Sequence, residues 1–435
     1  MDLREAGGGS EWRFEAYVEH LCSAVKHADR AGPLRGYCLG LLLPGERKSV
    51  EPMAARIEPG RVGAAHQSLH HFVAKADWSE EALLSAARAV ALPAIERHGA
   101  LRAWIVDDTG FPKKGVHSVG VARQYCGQLG KQDNCQVAVT LSVANDHASL
   151  PVAYRLYLPE AWAADPVRRH AAGVPEDLVF QTKPQIALAQ IKAALTADVP
   201  PGVVLADAGY GIDTAFRTGL TELGLAYIVG IQSSTSLWPP GTEPLPPKPW
   251  SGRGRPPSLV QRSGEHKPDS AKDVAEGLPA DAWQTVTWRE GSNAVLQSRF
   301  AAVRLRPAHR DTLRKEPRPQ EWFLVEWPGD APEPTKYWLS TLPDDMPLAA
   351  LVDRAKLRWR IERDFQDLKQ ELGLGHYEGR GWRGFHHHAA LCIAAYGFLV
   401  TERSLIPPSG PPSVPFRQAP GLPHGYRPRG SAGSS

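Results

Sequence analysis

The sequence of 435 residues is poor in the features that mark membrane or oxidised extracellular proteins. No apolar run approaches the roughly 18 residues of a membrane span, and the longest, residues 389–400, carries a glycine and suits a buried helix. Five cysteines, at 22, 38, 126, 135 and 392, contain no CxxC pair, and the odd count argues against a disulfide framework. Cys126 and Cys135 lack the second pair that a zinc site needs. Asp2 and Glu5 stand near the start with no apolar stretch before Arg13, which points away from a signal or transit peptide and toward a cytoplasmic protein. Internal repeats are also absent.

Net charge is only +3, too little by itself to announce a nucleic-acid binder, but its distribution is uneven. Residues 248–318 hold 14 Lys and Arg against 8 Asp and Glu, so the basic surplus sits in one segment. Such clustering is the usual footprint of a surface that meets phosphate.

Residues 11 to about 100 read as helices, the clearest over 80–98 with a capping signal at 77–80 and Gly99 just past its end. From Leu101 the period changes: 101–106 is a short apolar strand ending at Asp107-Asp108-Thr109-Gly110, and 136–145 alternates as a second strand. A βα alternation follows, with a strand over 203–206 ending at Asp207. Strands over 285–288, 299–305 and 322–327 suggest a separate small β unit, followed by a long helix over 348–372 and a last one over about 386–403. The expected fold class is α/β: a mixed sheet with flanking helices, an N-terminal helical module and a mainly β insertion. The expected units are a helical N-terminal module (1–100), the first part of the α/β fold (101–231), a basic β-rich insertion (232–336), C-terminal helices (337–403) and a disordered, proline-rich tail (404–435).

Asp107, Asp108 and Asp207 follow strands, where α/β proteins place their chemistry; taken alone, each reads more simply as an ordinary turn residue or helix cap. On the long helix, Arg358, Glu362 and Lys369 share an arc of about 40°, beside an apolar stripe of Leu357, Ile361, Phe365, Leu368 and Leu372. That stripe would dock the helix on the core and leave the acid and two bases at its rim, although a solvated face with an Arg–Glu pair has the same pattern. The chemistry such a set would serve is phosphodiester displacement. Carboxylates hold hard divalent cations, two metals roughly 3.5–4 Å apart clamp the attacking and leaving oxygens, and neighbouring bases grip phosphates.

The runs Trp104-Ile105-Val106-Asp107-Asp108-Thr109-Gly110-Phe111-Pro112-Lys113-Lys114-Gly115, Arg123-Gln124-Tyr125-Cys126-Gly127, Asn134-Cys135-Gln136, Ala206-Asp207-Ala208-Gly209-Tyr210-Gly211 and Trp359-Arg360-Ile361-Glu362 through Phe365 and Lys369 resemble bacterial insertion-sequence transposases of the DDE superfamily. The resemblance is to the insertion-sequence seven-hundred-one family, within the IS-four-like branch, over about residues 30–403. It implies an RNase H-like core that binds terminal inverted repeats, cleaves DNA and transfers the strand, with Asp108, Asp207 and Glu362 as catalytic and metal-binding residues. Two Mg²⁺ ions, replaceable by Mn²⁺, and a dimer on paired DNA ends follow from the same likeness. The family's first Asp directly precedes a Thr, which favours Asp108 over Asp107. Its Tyr-Arg-Glu-Lys signature maps onto Arg358, Glu362 and Lys369, with Ala355 at the Tyr position. Spacings of 99 and 155 residues between the three acids leave room for the insertion in the second gap.

Ser251-Gly252-Arg253-Gly254-Arg255-Pro256-Pro257 is similar to the core of an AT-hook, making Arg253 and Arg255 candidate minor-groove contacts, although such runs are also ordinary linkers. His386-His387-His388 cannot converge on one ion from consecutive helical positions, so packing or phosphate contact is expected. Trp382 and Tyr377 beside Arg380 and Arg383 suit either base stacking or packing under the long helix.

Overall fold

The computed structural model describes residues 9–290 and 295–405. The expected tail lies outside the described residues from 406 onward, and residues 404 and 405 belong to the last helix.

Five α-helices come first: α1 (Ser10–Cys22), α2 (Ala31–Leu42), α3 (Val50–Ile57), α4 (Val62–Ala74) and α5 (Glu80–Glu96). The start of α5 is set by Ser79, whose hydroxyl accepts the Ala82 N–H at 3.1 Å, with Glu80 and Glu81 favourably placed in the first turn. Later helices are α6 (Lys183–Thr196), α7 (Thr214–Glu222), α8 (Leu348–Lys356), α9 (Trp359–Gln366) and α10 (Trp382–Leu405). The 24-residue α10 is buried along most of its length, as expected of a helix apolar on all sides. It packs on α5 and on a sheet strand, so the helical module and the sheet share one continuous core. None of the described helices is long and apolar enough to cross a membrane.

The first six strands are β1 (Ala103–Pro112), β2 (Ala122–Cys126), β3 (Lys131–Ala144), β4 (Ser149–Leu156), β5 (Val203–Ala206) and β6 (Tyr227–Ile231). They give the order β4-β3-β1-β5-β6, with β3 antiparallel to β1 and β4, and β1, β5 and β6 mutually parallel. This mixed order agrees with the expected RNase H-like core. The insertion adds β7 (Ser236–Trp238), β8 (Asp269–Ser270), β9 (Gln284–Glu290), β10 (Val295–Pro307), β11 (Glu321–Trp327) and β12 (Lys336–Ser340).

Two expectations need correction. The insertion's strands are not a separate β unit: β12 pairs antiparallel with β6, and the ladder continues through β11, β10, β7 and β8 in one 12-stranded sheet. That pairing satisfies the β6 edge, which would otherwise present unpaired backbone groups. The helix over 348–372 is broken: α8 stops at Lys356, α9 starts at Trp359, and Asp367–Glu371 form a π turn. An added residue in a π turn rotates everything downstream, so Lys369 does not continue the Glu362 face.

Candidate active site

The site begins with strand register. β1 and β5 pair in parallel as Ala103↔Val203, Trp104↔Val204 and Ile105↔Leu205. β1 does not end at Val106 as expected but runs on through both aspartates, because β3 pairs with it as far as Pro112↔Cys135. β5 stops at Ala206, and Asp207 remains extended with φ −80° and ψ −176°. In the same register Asp107 and Asp207 therefore stand abreast, on neighbouring strands that run about 4.8 Å apart. Side chains alternate along a strand, so both carboxylates share the face of Ala103, Ile105 and Leu205. That face packs against Leu351, Val352, Ile361 and Phe365 of α8 and α9.

The turn after Asp207 is held close to the sheet by two glycines. A Cβ at Gly211 would lie 1.9 Å from the Gly230 carbonyl oxygen, and one at Gly230 would lie 2.8 Å from the Ala208 nitrogen. The short helix Ala208–Gly211 can seat against β6 only without those atoms. Asp207 caps it, accepting the Gly209 N–H at 2.8 Å.

Arg358, at the break between α8 and α9, joins the helix to the strand. One guanidinium nitrogen donates to Asp107 Oδ2 at 2.7 Å and the other to Glu362 Oε1 at 3.3 Å. Burial works against the Arg358 charge, but Asp107, Asp207 and Glu362 outweigh it and tighten its hold on its proton. Burial pushes the Asp107 carboxyl up to about 6, with Arg358 opposing and Asp207 and Asp108 adding repulsion. The Glu362 side chain is 67% exposed, so it can reach a ligand from the rim.

Asp108 points to the opposite face. Its Oδ2 accepts from Lys183 Nζ at 2.9 Å, on α6, and from the Tyr210 hydroxyl at 3.4 Å. Asp107, Asp207, Arg358 and Glu362 thus come together on one face of the sheet, and Asp108 is engaged on the other. Lys183 and Tyr210 are absent from the expected site. Tyr210 stands inside the Asp207-Ala208-Gly209-Tyr210-Gly211 run, but a lysine just after a capping threonine carries no sequence signal of a strand partner.

Lys369 is drawn away from Glu362, donating to the Gly110 carbonyl at 2.8 Å and to Gln128 Oε1 at 3.3 Å, with the Phe111 ring 4.9 Å away. Burial lowers its ammonium to about 8. Arg253 and Arg255 lie on an exposed stretch of the insertion without ion pairs among the described residues, each preceded by a glycine, Gly252 or Gly254, in a left-handed conformation. The three consecutive histidines are buried and packed, His387 stacking on Trp78 at 3.6 Å, and Trp382 is buried beneath them.

Among the described residues no three His, Cys, Asp or Glu side chains are gathered tightly enough to hold a metal ion as they stand. What lies between Asp107 and Glu362, and in the field of Asp207, is the Arg358 cation. The donor set is all carboxylate oxygen and arranged around positive charge, which fits a hard divalent cation.

A family model described as DDE superfamily endonuclease matches residues 20–295. A protein of Microchaete diplosiphon, described as a probable transposase for insertion sequence element IS701, is 36% identical over 169 residues. That match covers 39% of this chain and 41% of the relative, so the chain spans less than half of the relative's length.

Proposed function

Since the chain belongs to the DDE superfamily endonuclease family, we propose that it is a DNA transposase that binds the terminal inverted repeats of its element, cleaves there and transfers the strand. The observation that carries this reading is the pair Asp107 and Asp207 standing abreast under the helix that bears Glu362. DNA is its substrate and partner, and paired ends require two copies in the complex. In this reading Asp107, Asp207 and Glu362 hold divalent ions, Mg²⁺ or Mn²⁺. When bound, such ions lower the pKa of water and neutralise charge on a leaving oxygen. Strand parity supports Asp107 as the β1 ligand in place of Asp108, which Lys183 and Tyr210 hold behind the strand.

The chain's own groups do the rest. Arg358, once Asp107 and Glu362 turn to a cation, is freed to grip a phosphate with two parallel N–H donors. Lys369, fixed on the Gly110 carbonyl, braces β1 just past the two aspartates. Arg253 and Arg255 extend the DNA contact along the insertion.

The test is strand cleavage of a DNA fragment carrying the element's end, with Mg²⁺, Mn²⁺ or chelator, beside a gel-shift titration. Glu362→Gln is expected to lose cleavage by several orders of magnitude, on the order of what carboxylate removal costs two-metal sites, while binding stays near normal. Chelator-resistant cutting or an active Glu362→Gln would remove the mechanism. Binding without cleavage by the unaltered protein would instead make it a DNA-binding regulator derived from a transposase.

A further inference from the structure

A cationic seam opens beside the turn that carries Asp207. Two adjoining concavities of about 390 and 670 Å³ share Ile212, His309 and Arg310 as walls. Ile212 follows Asp207 by five residues, and Gln232 to Ser236, on the smaller concavity, continue directly from the carboxyl end of β6. The seam therefore lies between the catalytic strands and the turn joining β10 to β11.

Most arginines here are committed to the backbone. Arg217 donates to the Gly211 carbonyl, Arg262 to the Ala308 carbonyl and Asp311, and Arg318 to the His309 carbonyl at 3.0 Å. Arg310 differs. Its side chain has no hydrogen bond or ion pair among the described residues, it is exposed, and it sits where the two concavities meet. Its backbone is left-handed, φ 50° and ψ 29°, a conformation that costs a non-glycine residue energy and is retained where the surroundings over-determine it. Burial and the nearby Arg310, Arg318 and Arg217 hold the His309 imidazole below its ordinary value. Two acids line the larger concavity, Glu222 and Asp213, which caps α7 by accepting from the Ala215 and Phe216 N–H groups; Asp213 opposes the shift at His309 without reversing it.

We infer that this seam is a groove for the phosphodiester backbone of DNA, taking the strand that flanks the reacting phosphate, with Arg310 as its uncommitted phosphate donor. The inference rests on the transposase reading of the Asp107, Asp207 and Glu362 site. A neutral or cationic ligand would leave the guanidinium's charge unmatched, whereas a phosphate oxygen supplies both an acceptor and a negative charge.

The test uses the full chain and a 30-base-pair duplex of mixed sequence, with affinity measured across NaCl concentrations. Arg310→Gly keeps the turn, since glycine adopts this φ freely, and removes the guanidinium. Its affinity is expected to fall about tenfold, the worth of one charge-assisted contact, and its log–log salt slope to flatten by about one unit. Arg310→Lys should restore most of the slope. An Arg310→Gly protein with unchanged affinity and slope, or with weaker binding at an unchanged slope, overturns the groove and leaves the transposase reading standing. Absence of salt-dependent duplex binding by the unaltered protein overturns both.

Discussion

Arg358 donates to Asp107 across 2.7 Å, tying the helix break to the central strand. The contact exists because Asp107, and not its neighbour, faces that helix. Asp107→Asn should therefore reduce strand cleavage by several orders of magnitude, whereas Asp108→Asn, which only loosens Lys183 and Tyr210, should cost roughly 10–100-fold, as for a group acting through others. Parallel cleavage assays on the two variants decide. An inactive Asp108→Asn beside an active Asp107→Asn would mean that the strand turns over when DNA binds.

Gly211→Ala offers a separate check on Asp207. The added methyl meets the Gly230 carbonyl, so the turn must lift from β6 and carry Asp207 with it. A stability loss of about 1–3 kcal/mol is expected from such overpacking, with cleavage falling more than the fraction unfolded explains. Denaturant melts beside cleavage rates measure the two effects, and full activity would show that Asp207 tolerates the shift.

The insertion is fastened at Lys356. Its ammonium lies 2.8 and 2.7 Å from the two oxygens of buried Glu326, and 4.2 Å from the Trp288 ring centre. Burial lowers the Lys356 pKa while Glu326 opposes the shift. Lys356→Met should cost about 3–5 kcal/mol, because it strands a buried carboxylate. Adding Glu326→Leu should recover most of that loss, a comparison that equilibrium unfolding of the single and double variants can make.

His386 and His388 should make the fold sensitive to acid. The Leu156 N–H donates to His386 Nε2 and the Tyr37 hydroxyl pairs with His388 Nδ1, while each ring's other nitrogen meets a backbone carbonyl. Both rings are matched as neutral imidazoles, and burial lowers each to about 4. In the unfolded chain they titrate near 6.5, so unfolding takes up protons between pH 6.5 and 4. Stability is fully present above pH 6.5 and falls through that window, by at most about 3 kcal/mol per ring. Urea midpoints against pH test this; His386→Gln should flatten the dependence, and a rise in stability toward pH 4 would contradict it.

Much of this was legible from residue order. The capping signal before Glu80, the alternation around Val139 and the strand before Asp207 are local patterns, and local backbone preferences produced those elements. The parity of Asp107 and Asp108 was not legible. Adjacent aspartates differ only in which face they meet, and that depends on Ile105 pairing with Leu205, a contact between residues a hundred apart. The break at Leu357 was hidden as well, since its apolar spacing continues across it. So was the joining of β12 to β6, because a strand's sequence records its burial and not its neighbour.

That joining has a consequence for motion. β6 carries Gly230, on which the Asp207 turn rests, and β12 is hydrogen-bonded along the other edge of β6. The insertion and the acid-bearing strands are thus teeth of one comb, with no hinge between them along the sheet. A pull on the insertion by DNA would reach Asp207 as a change in sheet twist, and end recognition and the readiness of the acids would be felt through the same row of hydrogen bonds.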